Sequence, residues 1–511
     1  MGRASEPPEG YLGATGRIRR GPAPEMVQAG YRLEVADAPL LHKGLTLADL
    51  AHTLVLAERG VVAAEHESPL FAMLLELGEL PPEQFDYDPL YGDAYNARER
   101  WLERRIGPAA GWLAAGRTRR EAGRIAFRIA LRERVCELAG AVAGLAGAVT
   151  EVAARHAATV MADYTYLQVA QATTFGHYLL SFAHPALRDG DRLRDAYAWV
   201  NRSPAGAGGV AGTRFPVDRS RVAELLGFDG PVEHTRDAIW QTDGLVALLS
   251  TVVTAVTNAS RLAEDLEIYG SDEFGLVRIG DEFCRASVLM PQKRNPYALP
   301  VIRGGAGTLI GRAAGLMATQ RTPSARTDNL LYAYGEVCRS VDLGVGILEL
   351  AAAVTGSVVP DEEAMARRAA GGFSQATDLA EAISLETGID YRSAYRVVGR
   401  AVARAMEQGA GPERLDPEAL ERAAREVLGQ PLRIPADLVA DALDPAAAVQ
   451  ARPSAGGAAP EPMAELVAGC RRRVEALTSW VEGRRAALRG AEEALLEAVR
   501  ERAAPPASRS G

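Results

Sequence analysis

Apolar positions in this chain recur with helical spacing over stretches that hold few breakers. Leu131, Val135, Leu138, Val142, Leu145 and Val149 step by three or four, which places them on one face of a helix. Between 237 and 268 the apolar residues nearly encircle the helix axis, as in a helix buried among others. The pattern predicts three long helices, over 122–161, 237–268 and 333–355. Each far exceeds the usual length of about 11–12 residues, and such helices pack side by side as a bundle. No strong strand pattern stands out, so the predicted fold class is all-α. The central bundle domain spans 120–370, between an N-terminal helical domain, 24–119, and a C-terminal helical domain, 371–511. Residues 445–462, rich in Ala, Pro and Gly, read as a loop before a last charged helix from 463 to about 502.

Composition narrows the function classes. The chain of 511 residues is rich in Ala, Leu, Val, Arg and Glu, with 6% aromatics, which suits helices and a large core. Its net charge of −9 comes from interspersed acids and bases, so no nucleic acid partner is expected. Residues 1–23, rich in Gly, Pro and Arg, read as a disordered tail with no apolar run for a signal peptide. The stretch 245–256 is too short to cross a bilayer and runs into Arg261, Glu264 and Asp265, so no membrane partner is expected. Cys136, Cys284, Cys338 and Cys470 lie far apart and read as reduced thiols of a cytoplasmic protein. His42, His52, His66, His156, His184 and His234 show no ligand spacing, so no metal is predicted. Gly206, Gly208, Gly209 and Gly212 lack the strand–helix context of a phosphate or dinucleotide loop, and no cofactor is predicted.

The richest stretch chemically is Ser287-Val288-Leu289-Met290-Pro291-Gln292-Lys293-Arg294-Asn295-Pro296. It sets a hydroxyl, a cation and an amide on one Gly-poor loop, and it resembles the signature loop of the fumarase/aspartase superfamily. The resemblance implies that Ser287 removes a proton from the carbon beside a carboxylate, with Lys293 and Asn295 holding the charge that develops. Such a proton is weakly acidic, and a serine can take it only if a nearby cation and backbone N–H groups favour the alkoxide. Ala286 and Val288 stand where the family has a glycine and a second serine.

Other segments resemble the argininosuccinate lyase branch. These are Asn201-Arg202-Ser203-Pro204-Ala205-Gly206-Ala207-Gly208 with Ala211-Gly212-Thr213, and Phe215-Pro216-Val217-Asp218-Arg219. Gly372-Phe373-Ser374-Gln375-Ala376-Thr377-Asp378, Val398-Gly399-Arg400 and Gly456-Gly457-Ala458-Ala459-Pro460 follow in the family's order. The branch implies a three-domain lyase fold, a homotetramer with each active site built from three subunits, and reversible release of fumarate from a succinyl-bearing amine. Gly116-Arg117-Thr118-Arg119-Arg120 resembles its Gly-Arg-Ser-Arg-Asn, so Thr118 and Arg119 are implied to bind a substrate carboxylate. Thr165-Tyr166-Leu167-Gln168 resembles its Thr-His-Leu-Gln, which implies that Thr165 and Gln168 contact the substrate. His177 also matches the family.

The departures from that pattern are grouped. Tyr166 replaces the family's histidine, and Pro300 stands where its glutamate partner would be, so both halves of a His–Glu pair are missing. The phenol of Tyr166 is the candidate for the replaced role. Arg326 and Leu331 replace a tyrosine and a glutamine in the segment that holds the arginine part of argininosuccinate, and Tyr297 replaces an aspartate. Tyr95-Asn96-Ala97-Arg98 stands for His-x-Ala-Asn, and Arg120 for an asparagine. An arginine at 326 repels a guanidinium leaving group. The reading is a lyase that eliminates fumarate from an N-substituted aspartate other than argininosuccinate, in specialised amino-acid or natural-product metabolism. The alternatives are argininosuccinate lyase itself or an inactive structural homologue.

Overall fold

The computed structural model describes residues 21–321 and 331–503. The expected tail lies, up to residue 20, outside the described residues. The N-terminal part is built from α1 (Ala38–Glu58), α2 (Ala64–Glu79) and α3 (Ala94–Ile106). Then comes α4 (Arg119–Arg155), which packs against α1, α5 (Phe175–Val200) and α8 (Tyr334–Gly356). Two more long helices, α6 (Asp243–Tyr269) and α7 (Ala298–Gln320), complete the bundle. The stripe from Leu131 to Val149 is fully buried in the main core. Helices Arg119–Arg155 and Asp243–Tyr269 are apolar and long enough to span a membrane by length and composition, but their apolar windows are 67% and 50% buried inside the molecule.

Several boundaries differ from expectation. The first long helix stops at Arg155, and Val160 and Met161 instead open a strand. That strand, β1 (Val160–Thr165), pairs antiparallel with β2 (Gln168–Thr174). The segment 237–268 is two helices, Thr235–Trp240 and α6, separated where Thr242 takes a non-helical φ of −141°. Two smaller ribbons join β3 (Val277–Arg278) to β6 (Val359–Pro360), and β4 (Arg285–Ala286) to β5 (Arg294–Asn295). Within the expected loop at 445–462, Pro445–Gln450 is helical, because Asp444 caps it by accepting the Ala446 N–H at 3.1 Å.

Beyond α9 (Glu362–Gly371), four helices make a separate core: α10 (Ala376–Thr387), α11 (Tyr391–Glu407), α12 (Pro417–Leu428) and α13 (Ala436–Leu443). The last helix, α14 (Pro460–Ala503), returns to the main core, where Met463, Val467, Cys470, Leu477, Val481, Leu495 and Val499 are buried. Residues 371–503 thus divide between two cores, because the apolar face of α14 packs against α2, α4 and α5.

Candidate active site

Strands β4 and β5 pair Arg285 with Asn295 and Ala286 with Arg294, so the signature segment is a hairpin with Ser287 and Lys293 at its base. The Ser287 hydroxyl oxygen accepts the backbone N–H of Leu289 at 3.3 Å and of Met290 at 3.0 Å. Two dipoles aimed at one oxygen lower the cost of its alkoxide. The Asn295 amide donates to the Arg285 carbonyl at 3.1 Å, and Arg294 fixes the hairpin through an ion pair with Asp281 at 2.6 Å. Val288 and Leu289 at the tip stand in solvent, and Lys293 is exposed.

A second group gathers at the start of α4. Thr118 caps this helix, its hydroxyl accepting the Glu121 N–H at 3.3 Å and donating to the Gly208 carbonyl at 3.1 Å. Arg119 is half-exposed at the first helical position and pairs with Asp93 at 3.1 Å. A helix N-terminus with a guanidinium beside it suits a carboxylate. Beneath it, buried Asp49 bridges two buried arginines, reaching Arg117 at 2.6 Å and Arg98 at 3.2 Å. Glu121, buried on the same turn, accepts the N–H of Gly206 at 2.7 Å and of Gly208 at 2.6 Å. Both glycines have positive φ (75° and 59°), so the motif around residue 206 forms a nest that the protein fills with its own carboxylate. Burial pushes the Glu121 carboxyl up to about 7, against the opposing pull of those N–H groups and Arg117.

The third group is the tip of the β1–β2 hairpin. Thr165 and Gln168 face each other as its last pair, and Tyr166 and Leu167 form the turn with φ of 56° and 58°. The left-handed region is costly for such side chains. The Tyr166 side chain is 99% exposed. Tyr164 anchors the hairpin through ring contacts with Tyr269 and Phe274 at 5.8 and 5.6 Å. His177, at the start of α5, bonds Thr173 at 3.1 Å and the Gly456 carbonyl at 3.0 Å. Arg452 grips Asp378 with two bonds of 2.7 and 2.8 Å and also donates to the Ala172 carbonyl, tying the C-terminal unit to the hairpin.

Thr118 and Arg119 are therefore brought together with the loop around Gly208. Ser287, Lys293 and Asn295 form a separate group, and Thr165, Tyr166 and Gln168 a third. Among the described residues no hydrogen bond or ion pair joins the three. Arg326 lies outside the described residues. Pro300 sits in the first turn of α7, where its missing N–H costs nothing. Tyr297 lies under the Arg285 guanidinium, 5.3 Å from the ring centroid. Three positions that depart from the family pattern, Tyr95, Arg120 and Leu331, line one cavity with Arg119, Glu34, Asp37, Asp93 and Tyr334. Sequence reasoning missed Glu121, Asp49 and the Arg452–Asp378 pair, since a lone acid or base on a helix carries no distinguishing spacing.

Comparison with known proteins shows the family. The chain matches the lyase family model over residues 55–311 and the argininosuccinate lyase C-terminal model over residues 373–450. It is 35% identical over 460 residues to argininosuccinate lyase of Methanoculleus marisnigri, covering 89% of this chain and 92% of that protein. The argininosuccinate lyase of Haloarcula marismortui is 36% identical, over 82% of this chain and 83% of its own length. Among solved structures, an EDDS lyase variant with bound fumarate superposes with a TM-score of 0.85 at 28% identity, over 96% of this chain and 98% of that one. Class II fumarase from Schistosoma mansoni, with a TM-score of 0.65 and 11% identity over 81% of this chain and 91% of its own, shares the fold. The chain is a carbon–nitrogen lyase of the fumarase/aspartase superfamily and belongs to its argininosuccinate lyase-like branch.

Proposed function

We propose that this lyase eliminates fumarate from an N-substituted aspartate other than argininosuccinate. Ser287 is the base that takes the proton beside the carboxylate. Lys293 and Asn295 stabilise the charge that develops, and Thr118, Arg119, Thr165 and Gln168 hold the succinyl carboxylates. The observation that carries the reading is the convergence of Tyr95, Arg120 and Leu331, distant in sequence, on the cavity beside Arg119. Changes gathered in that pocket alter what leaves, while Ser287, Lys293, Asn295, Arg119, Thr165 and Gln168 are kept.

The proposal includes a homotetramer, since the three groups of site residues are not linked within one chain. It is supported by the outer face of α7, where Val301, Ile310 and Met317 are exposed and Gly304, Gly307, Gly311 and Gly315 face open space. Such a face suits close packing against another copy's helix. A second reading, argininosuccinate lyase itself, is favoured by the names of the curated relatives. Ultraviolet detection of fumarate released from argininosuccinate and from other N-substituted aspartates decides between the two. Release from argininosuccinate alone would overturn the first reading.

A further inference from the structure

Building on that reading, we propose that the amine released with fumarate carries an uncharged body, apolar or aromatic, seated in the cavity beside Arg119. The cavity wall holds three acids, and each already has a cation. Asp93 pairs with Arg119 at 3.1 Å, Glu34 with Arg120 at 2.9 Å, and Asp37 with Arg339 at 3.1 Å. Asp37 also accepts the Gly335 N–H at 2.7 Å. Arg119, half-exposed and bound to Asp93 through one nitrogen, keeps that acid while its other N–H groups take a substrate carboxylate. A guanidinium or ammonium tail entering here must therefore displace a resident arginine or stay unpaired, and both are costly.

The rest of the wall is apolar. Leu41, Leu45, Tyr95 and Tyr334 are buried there, and Tyr334 is held by stacking on Phe127 with centroids 4.2 Å apart. The Tyr95 hydroxyl is committed to the Leu113 carbonyl at 3.4 Å, which leaves the ring as the surface it offers. Leu331 adds an aliphatic side chain where the family pattern has an amide. A surface neutral by internal pairing and floored by rings and leucines is complementary to an apolar group.

In the addition direction, the amine lone pair forms the C–N bond at one alkene carbon of fumarate. The other carbon takes the Ser287 proton, and the proton shed by the new ammonium nitrogen is relayed through the Tyr166 phenol and water to the Ser287 alkoxide, which restores the serine. Elimination is the same set of events reversed, so atoms and charge balance without a further reactant.

The test is addition to fumarate by the full-length protein, with benzylamine, isopentylamine, ethylenediamine and arginine as separate co-substrates. Loss of fumarate absorbance and product mass are the readouts. The two apolar amines are expected to react at least about tenfold faster than the two with charged tails, the discrimination an apolar pocket gives. Leu331→Gln, and separately Tyr95→His, are expected to shrink that ratio several-fold. Equal or faster reaction of the charged amines would overturn the inference, as would a ratio that neither variant moves. Reaction of arginine alone defeats the inference but leaves a fumarate lyase. Absence of product from every amine removes the underlying reading and the inference with it.

Discussion

A 3.0 Å hydrogen bond runs from the Met290 backbone N–H to the Ser287 hydroxyl oxygen. The Leu289 N–H is aimed at the same atom. The turn that presents the serine thus also supplies its electrostatic support, before substrate or another subunit arrives. Removing the hydroxyl is therefore expected to act on the chemical step alone. Ser287→Ala should lower kcat on the order of 10²- to 10⁴-fold, the contribution of a positioned proton-transfer group, with little change in KM. Steady-state kinetics on an active substrate checks this, and retained kcat would move the base elsewhere.

Tyr166 stands 99% exposed on a turn whose φ of 56° a tyrosine adopts at a cost. A strained ring with no burial in its own chain contributes nothing to stability there. Tyr166→Phe is expected to cut kcat by roughly 10²-fold, as for loss of a general acid or hydrogen-bond donor, with Tm unchanged. Full activity in the phenylalanine variant would assign the ring to packing.

The Arg98–Asp49–Arg117 group is expected to set stability. Its side chains are at most 1% exposed, so removing the shared acid leaves two cations buried and unpaired. Asp49→Asn should destabilise by about 3–5 kcal/mol, read from thermal or denaturant unfolding. Because Arg117 precedes Thr118 and Arg119, KM should rise as well. A change under about 1 kcal/mol, the contribution of a surface pair, would mean the group is solvated.

Glu121 carries a pH signature. Its folded-state pKa of about 7 lies above the ordinary carboxylate range, so the neutral form is the one folding favours. The stability it contributes is full below the unfolded pKa and is lost as pH rises through about 7. The difference in stability between wild type and Glu121→Gln should therefore shift against wild type by about 3 kcal/mol between acid and mildly alkaline pH. Parallel unfolding curves at all pH values would contradict this.

Much of the bundle was legible because helical periodicity survives burial. The stripe from Leu131 to Val149 belongs to the core as its spacing indicates. The β1–β2 hairpin was not legible, since its turn is Tyr166-Leu167 and not the Asn-Gly or Asp-Gly pair that signals positive φ. Buried arginines were equally silent. Arg124 and Arg128 look like a solvated helix face, yet they cap the Ile239 carbonyl and those of Trp199 and Val200. The site motifs were readable as words, but their spatial grouping was not. Only the folded chain puts Tyr95, Arg120 and Leu331 around one cavity.

Fumarate release from purified protein, given argininosuccinate and a panel of other N-substituted aspartates, tests the central claim most directly. Each active case is repeated with Ser287→Ala. The expected result is fumarate from a substrate without a guanidinium, abolished in the variant. Fumarate from argininosuccinate alone, or equal release by the variant, would contradict it.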